Sequence, residues 1–336
     1  MKKSRILAAF LLVCAGFLSL ALREPEEFTR SGMAMNTIIR MTVYGHEDSP
    51  LNDAFSLLDE LDRRLSMYNP SSDISRINSG STFRANTHTV NAIIDAIKLH
   101  EITGGVFSPL IGTVTRLWKI NQADGKIPSP ESLDAAIKLS DIRSLTVSGD
   151  TVSLTPGSVL DLGGMAKGYA STEIARLLKE RGIKSALLDL GGNVHVVGGK
   201  VDGSAWRIGV RNPLQPVGNP ALVVDVKDCA VITSGNYERF KEVDGKKYSH
   251  FFDTKTGQSV MSDLLSVTVI SSDGSLADGL ATAFMITGVD KALAILRDMS
   301  NPPGVIFITQ EGITATSNLR TVITRSLIPV TFAEVP

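Results

Sequence analysis

The chain has 336 residues, 43% hydrophobic and 21% charged, enough apolar mass for one large core or two modest ones. Its formal net charge is −1, and loss of the first 22 residues with Lys2, Lys3 and Arg5 would leave −4, so neither form has the basic excess that a nucleic-acid partner demands. Met1 to Arg5 is a charged start, and Ile6 to Leu22 is an apolar run, the pattern of an export signal or membrane anchor. Ser19-Leu20-Ala21 offers a cleavage site, the run is nearly long enough to span a bilayer, and Cys14 offers lipidation, although Val13 is larger than a lipoprotein signal prefers before its cysteine. These fates stay open. A soluble product would keep only Cys229, so the fold must hold by packing rather than by an internal disulfide.

Residues 23–32 read as a polar linker and residues 33–332 as one folded unit. Asn36 to Tyr44 reads as a strand, and Leu51 to Leu65 places Leu51, Phe55, Leu58, Leu61 and Leu65 at helical spacing. Asn91 to Thr103 is a second amphipathic helix. Ala166 to Arg181 and Leu276 to Thr287 are two more, closed by Gly182 and Gly288, where a left-handed residue is wanted. Strands are expected at Ser185–Leu190, Val194–Val197, Trp206–Val210, Leu222–Val226 and Ser266–Ile270. A hairpin, Val305–Thr309 with Ile313–Thr316, turns at Gln310-Glu311-Gly312. The order is mixed rather than strictly alternating, which favours an α+β fold with largely antiparallel sheets and packed helices.

One internal echo stands out: Leu160-Asp161-Leu162-Gly163-Gly164 returns as Leu188-Asp189-Leu190-Gly191-Gly192. Either two neighbouring strands end in similar turns, or the two turns share a ligand. The first echo runs through Ala166, Lys167 and Gly168 into a helix, whose free N–H groups and dipole could hold a phosphate; close packing is the competing account. The segment matches neither the P-loop nor GxGxxG.

Asp278 and Thr282 stand four residues apart on a helix, a carboxylate and a hydroxyl on one face within reach of a common ion. Taken locally, a capping box with Ser275 as N-cap explains Asp278 better. His250, in Tyr248 to Gly257, has the position of a general base or of an ordinary polar residue at a strand end. The other histidines lack metal-ligand spacing, so zinc is not expected. Thr233 to Tyr237 reads as a ligand-contacting loop, or as a plain turn with Gly235 at positive φ.

These pieces occur together and in order. Ser66 to Asn78, Gly104 to Gly112, Asp161 to Ala170, Trp206 to Pro213, Thr233 to Arg239, Tyr248 to Gly257 and Ala277 to Thr282 resemble the motifs of the ApbE-type FAD:protein FMN transferases, over nearly all of Met33 to Gly288. The resemblance implies one transferase domain over residues 33–332, with an FAD site between its lobes and a magnesium ion. It implies Asp278 and Thr282 as side-chain ligands to Mg2+, with backbone oxygens from Ala166 and Ala281. Met35, Tyr68, Val106, Phe107, Ser108 and Thr172 align with positions lining FAD, Ser234 and Gly235 with the flavin side, and His250 with a histidine that activates the acceptor.

The reaction so implied is magnesium-dependent transfer of FMN from FAD to a threonine of an exported flavoprotein subunit, of the membrane redox-pump type, with release of AMP. Two positions depart from the family pattern, because Ser108 and Thr172 stand where aspartate is usual. Their loss of charge keeps two other outcomes in play: an FAD pyrophosphatase giving FMN and AMP, and a noncatalytic FAD-binding envelope protein.

Overall fold

The computed structural model describes residues 24–80, 82–120, 126–216, 218–237 and 239–336. The expected leader over residues 1–22, with Cys14, lies outside the described residues. Among those described, no helix is long and apolar enough to cross a membrane. The chain opens with β1 (Glu26–Ala34), β2 (Thr37–Gly45), α1 (Ser49–Leu65), α2 (Asp73–Ile77), β3 (Phe83–Arg84) and α3 (Thr87–Ile102). It continues through α4 (Gly112–Trp118), α5 (Pro130–Lys138), β4 (Leu145–Ser148), β5 (Thr151–Leu154), α6 (Ala166–Glu180), β6 (Ser185–Leu190), β7 (Asn193–Val197), β8 (Trp206–Arg211) and β9 (Pro220–Val226). The last part holds β10 (Ala230–Gly235), β11 (Phe240–Val243), β12 (Lys246–Ser249), β13 (Leu264–Ser271), α7 (Gly274–Thr287), α8 (Val289–Arg297), β14 (Gly304–Thr309), β15 (Ile313–Thr316), β16 (Ile323–Ser326) and β17 (Val330–Ala333).

The expected α+β class with largely antiparallel sheet is what the structure has. One nine-stranded sheet, ordered β1-β2-β6-β7-β10-β13-β14-β15-β17, is antiparallel at every pairing except β15 with β17. Helices α1, α6 and α7 cover one face, and the small sheet β16-β9-β8 covers part of the other. A strand buried on both faces loses alternation and becomes continuously apolar. In β14, Val305 and Phe307 enter the helix-side core while Ile306 and Ile308 enter the core beneath the small sheet. Toward the open end, β2 alternates instead: Ile39, Met41 and Val43 are buried under α1, and Ile38 and Arg40 face water.

Three expectations are corrected here. The segment read as a linker, residues 23–32, carries most of β1, which pairs with β2 from Glu26↔Gly45 to Ala34↔Thr37. Its inward positions are Phe28, Arg30, Gly32 and Ala34, a weak apolar signal, because Phe55 of α1 reaches out to fill the space above Gly32 and takes the Arg30 guanidinium on its ring. The N-cap of α7 is Asp273, which accepts the Leu276 N–H at 3.2 Å, so Ser275 is not the cap and Asp278 is released from that role. Gly182 is left-handed at φ +81°, but Gly288 combines φ +77° with an extended ψ of 176° and feeds α8 directly.

Candidate active site

The site is built where α6 meets α7. A Cβ on Gly168 would lie 2.0 Å from the Gly274 carbonyl oxygen and 2.6 Å from Asp278 Cβ, so only glycine permits this approach. Asp278 then reaches the start of α6, where its Oδ2 accepts the Gly168 N–H at 2.8 Å. Asn193, 2% exposed at the start of β7, donates Nδ2 to Asp278 Oδ1 at 3.3 Å. One turn further along α7, Thr282 Oγ1 donates to the Gly164 carbonyl at 3.0 Å. Ala281, fully buried, lies between the two, and Ala166 opens α6.

The helix start is therefore partly committed. Ala166 N–H bonds the Leu162 carbonyl at 2.9 Å and Gly168 N–H is taken by Asp278, so the positive end of α6 already faces a carboxylate. This narrows the expected phosphate cradle. The donors gathered here are one carboxylate, one hydroxyl and backbone carbonyls, and among the described residues no three His, Cys, Asp or Glu side chains cluster to hold a metal. An all-oxygen set with a single carboxylate fits magnesium, which keeps waters and substrate oxygens in its shell.

The loop before α4 closes a second side. Gly104 and Gly105 take positive φ, Thr103 Oγ1 accepts the Phe107 N–H at 3.0 Å, and His100 Nδ1 donates to the Phe107 carbonyl at 3.0 Å. The Phe107 ring then lies 3.2 Å from where a Gly164 Cβ would stand, beside Thr282. Ser108 is buried, its hydroxyl accepting the Leu110 N–H at 3.3 Å in a local turn, and Val106 is half-buried before it. Thr254 ties the histidine segment to this loop by donating to the Gly105 carbonyl at 2.8 Å.

His250 follows β12, its ring against Phe251 at 4.1 Å between centroids. Its Nδ1 lies 3.0 Å from the Arg239 carbonyl, which can only accept, so Nδ1 carries the proton and Nε2 keeps the lone pair. Burial pulls its pKa down to about 4, the Arg239 carbonyl opposes this, and the charges of Arg239 and Lys167 add to it. Lys167 belongs to the first turn of α6, so His250 feels a charge carried by the same helix whose start Asp278 caps.

Tyr68 has its pKa raised, first by desolvation of its hydroxyl and then by Asp161, with Arg239 and Arg116 opposing, although its side chain is 68% exposed. Asp161 is raised by burial against the pull of the Gly163 N–H, Thr115, Arg116 and Arg239. Tyr68, Asp161, Arg116 and Arg239 are thus electrostatic neighbours.

The remaining expected residues have local structural roles of their own. Met35 is left-handed at φ +50° in the two-residue β1–β2 turn, at the margin of the helix-side core. Thr172 accepts the Gly274 N–H at 2.8 Å and so serves the α6–α7 contact one turn before Asp278. Ser234 and Gly235 end β10, a paired strand between β7 and β13, which corrects both the loop and the positive-φ turn expected there. The Tyr237 ring occupies the space of a Gly235 Cβ at 2.5 Å, so a larger residue there would displace that ring.

Residues 35–307 match the family model described as the ApbE family. The chain belongs to the ApbE family. A FAD:protein FMN transferase of Treponema pallidum is 34% identical over 304 residues, 83% of each chain. The flavin transferase ApbE of Vibrio cholerae superposes with TM-score 0.78 at 28% identity, covering 89% of this chain and 99% of that one. The apo flavinyl transferase ApbE of Pseudomonas stutzeri gives TM-score 0.80 at 28% identity, over 91% and 99%.

Sequence reasoning assigned no role to Asn193, Arg239, Lys167, Thr254 or Asp161. Asn193 directly follows the second glycine pair, and the others fall inside motifs already singled out, so position was available as a signal while partner identity was not.

Proposed function

We propose that this ApbE-family chain is an exported, magnesium-dependent FAD:protein FMN transferase acting on a threonine hydroxyl of a flavoprotein subunit of the membrane redox-pump type. The reading is carried by the neutral His250, its Nδ1 fixed on Arg239 and its Nε2 left as acceptor, together with the α6–α7 contact at which Asp278 and Thr282 converge. The threonine oxygen bonds to the FMN phosphorus as the bridging P–O bond breaks. The bridging oxygen leaves with AMP, and the hydroxyl proton passes to His250 Nε2. Asp278 and Thr282, with the backbone oxygens of Ala166 and Ala281, would hold Mg2+, which when bound offsets the pyrophosphate charge as a Lewis acid. Tyr68, Val106, Phe107 and Ser108 would line the bound FAD and align it. The charged start and apolar run over residues 1–22 support export, with the enzyme at the cell envelope.

Intact-mass spectrometry of a threonine-containing acceptor, incubated with the full chain, FAD and Mg2+, tests this. An acceptor heavier by one FMN with matching AMP is the expected result. AMP without labelling would replace transfer by FAD hydrolysis, and tight FAD binding without AMP would replace it by binding alone.

A further inference from the structure

The repeated five-residue stretch is not explained by two similar turns alone. Each carboxylate does stabilise its own turn: Asp161 Oδ1 accepts the Gly163 N–H at 2.8 Å, and Asp189 Oδ1 accepts the Gly192 N–H at 2.7 Å. Beyond that, each turn bears on one polar side chain of α7. The Gly164 carbonyl receives Thr282 Oγ1, and Asn193, immediately after Gly192, reaches Asp278 Oδ1. We infer that Asn193 is a positioning residue for Asp278, presented by the second glycine turn so that the carboxylate is aimed before a metal arrives. The inference rests on the reading of Asp278 as a Mg2+ ligand.

Burial makes the contact consequential. Asn193 and Asp278 are 2% and 5% exposed, so rotation of the carboxylate would strand a buried amide. A carboxylate offers about four acceptor directions. Gly168 N–H takes one on Oδ2 and Asn193 one on Oδ1, and the two together fix the carboxylate plane. The residue type fits this role, because an amide can donate to a carboxylate where a second carboxylate would repel it.

The support of Asn193 is rigid. Gly191 stands at φ +68°, and a Cβ there would lie 2.1 Å from Thr37 Oγ1, so the turn is seated against the first residue of β2. Asn193 itself pairs with Leu190 across the β6–β7 hairpin. Two long-range contacts thus hold Asp278 from opposite sides, one from a helix start and one from the sheet.

Mn2+ alone, titrated into the full-length protein and read from the electron paramagnetic resonance of the free ion, separates this role from simple core satisfaction. Asp278→Ala is expected to lose binding. Asn193→Ala, and Asn193→Ser, whose shorter side chain stays polar but falls short of Asp278, are expected to weaken Mn2+ binding about 10- to 100-fold. Their metal-free unfolding temperatures should stay near that of the parent, and raised Mg2+ should restore kcat while the metal constant remains shifted. Binding by Asn193→Ser within about twofold of the parent, with Asp278→Ala still deficient, overturns the inference alone. Parent-like binding by Asp278→Ala overturns the metal assignment and this inference with it, and loss of folding in both Asn193 variants would make the residue structural.

Discussion

The backbone N–H of Gly168 and the Oδ2 of Asp278, 110 residues apart in the chain, meet at 2.8 Å because neither helix presents a side chain between them. A methyl group at 168 would be driven into the Gly274 carbonyl, so Gly168→Ala must push α6 and α7 apart. Overpacking of this kind costs roughly 1–3 kcal/mol. The expected outcome is a lower urea midpoint together with a weaker Mg2+ dependence of turnover. Unchanged values for both would show that the helices separate freely and that their approach does not set the site.

Asp278→Ala removes the carboxylate of the oxygen cluster and leaves the Gly168 N–H without its acceptor. Loss of that bond costs about 1–3 kcal/mol, which a domain of this size can absorb, so the variant should remain folded by circular dichroism. Lewis-acid stabilisation is worth several kcal/mol in the transition state, and turnover should fall by about a thousandfold or more, with no response to added Mg2+. Residual activity that still rises with Mg2+ would place the ion elsewhere.

How much of this was readable in advance depends on whether a residue's partner is near in sequence. The Leu51 to Leu65 stripe was legible because helix periodicity is local, and the Val305 to Thr316 hairpin because its turn is three residues long. Strand β10 was not, since Ser234-Gly235 reads as a turn while its pairing to β7 and β13 lies more than 30 residues away in the chain on each side. The site divides in the same way. Asp278 and Thr282 could be picked out by their four-residue spacing, and the family resemblance supplied His250 with a role. Asn193 and Arg239 could not be assigned, because one acts on Asp278 across 85 residues and the other acts on His250 through a backbone carbonyl, which any residue type would provide. Thr172 shows the converse limit. The resemblance gives it a place lining FAD, while the hydrogen bond that its hydroxyl accepts from the Gly274 N–H, 102 residues on, could not be read from its own segment.

His250 provides a pH test. With its pKa pulled down to about 4, the ring is neutral and competent as a base throughout the neutral range. Turnover should therefore hold nearly constant from about pH 8 down to pH 5–6 and decline only as pH falls through about 4, where an unperturbed histidine would already fail near 6.5. His250→Ala should reduce kcat by roughly 10²- to 10⁴-fold and abolish that acid limb. A pH–rate profile of the variant with the limb unchanged would assign the limb, and the proton, to another group.

His195 makes a separate prediction about stability. It is 2% exposed on β7, its Nδ1 3.1 Å from the Ser171 hydroxyl, and burial with the nearby Lys179 charge lowers its pKa to about 4, against the pull of Asp228. In the unfolded chain the same ring titrates near 6.5, so between about pH 6.5 and pH 4 the unfolded state binds the extra proton. Stability is thus fully present above pH 6.5 and is lost as pH falls toward 4, by an amount on the order of 3 kcal/mol for a shift of this size. His195→Gln keeps a polar side chain in the cavity and removes the titration. Urea unfolding of the parent and this variant at pH 7.5, 6 and 4.5 should show a difference in stability that narrows or reverses with acid. A constant difference across the three would mean that His195 titrates alike in the folded and unfolded states and that another group governs acid sensitivity.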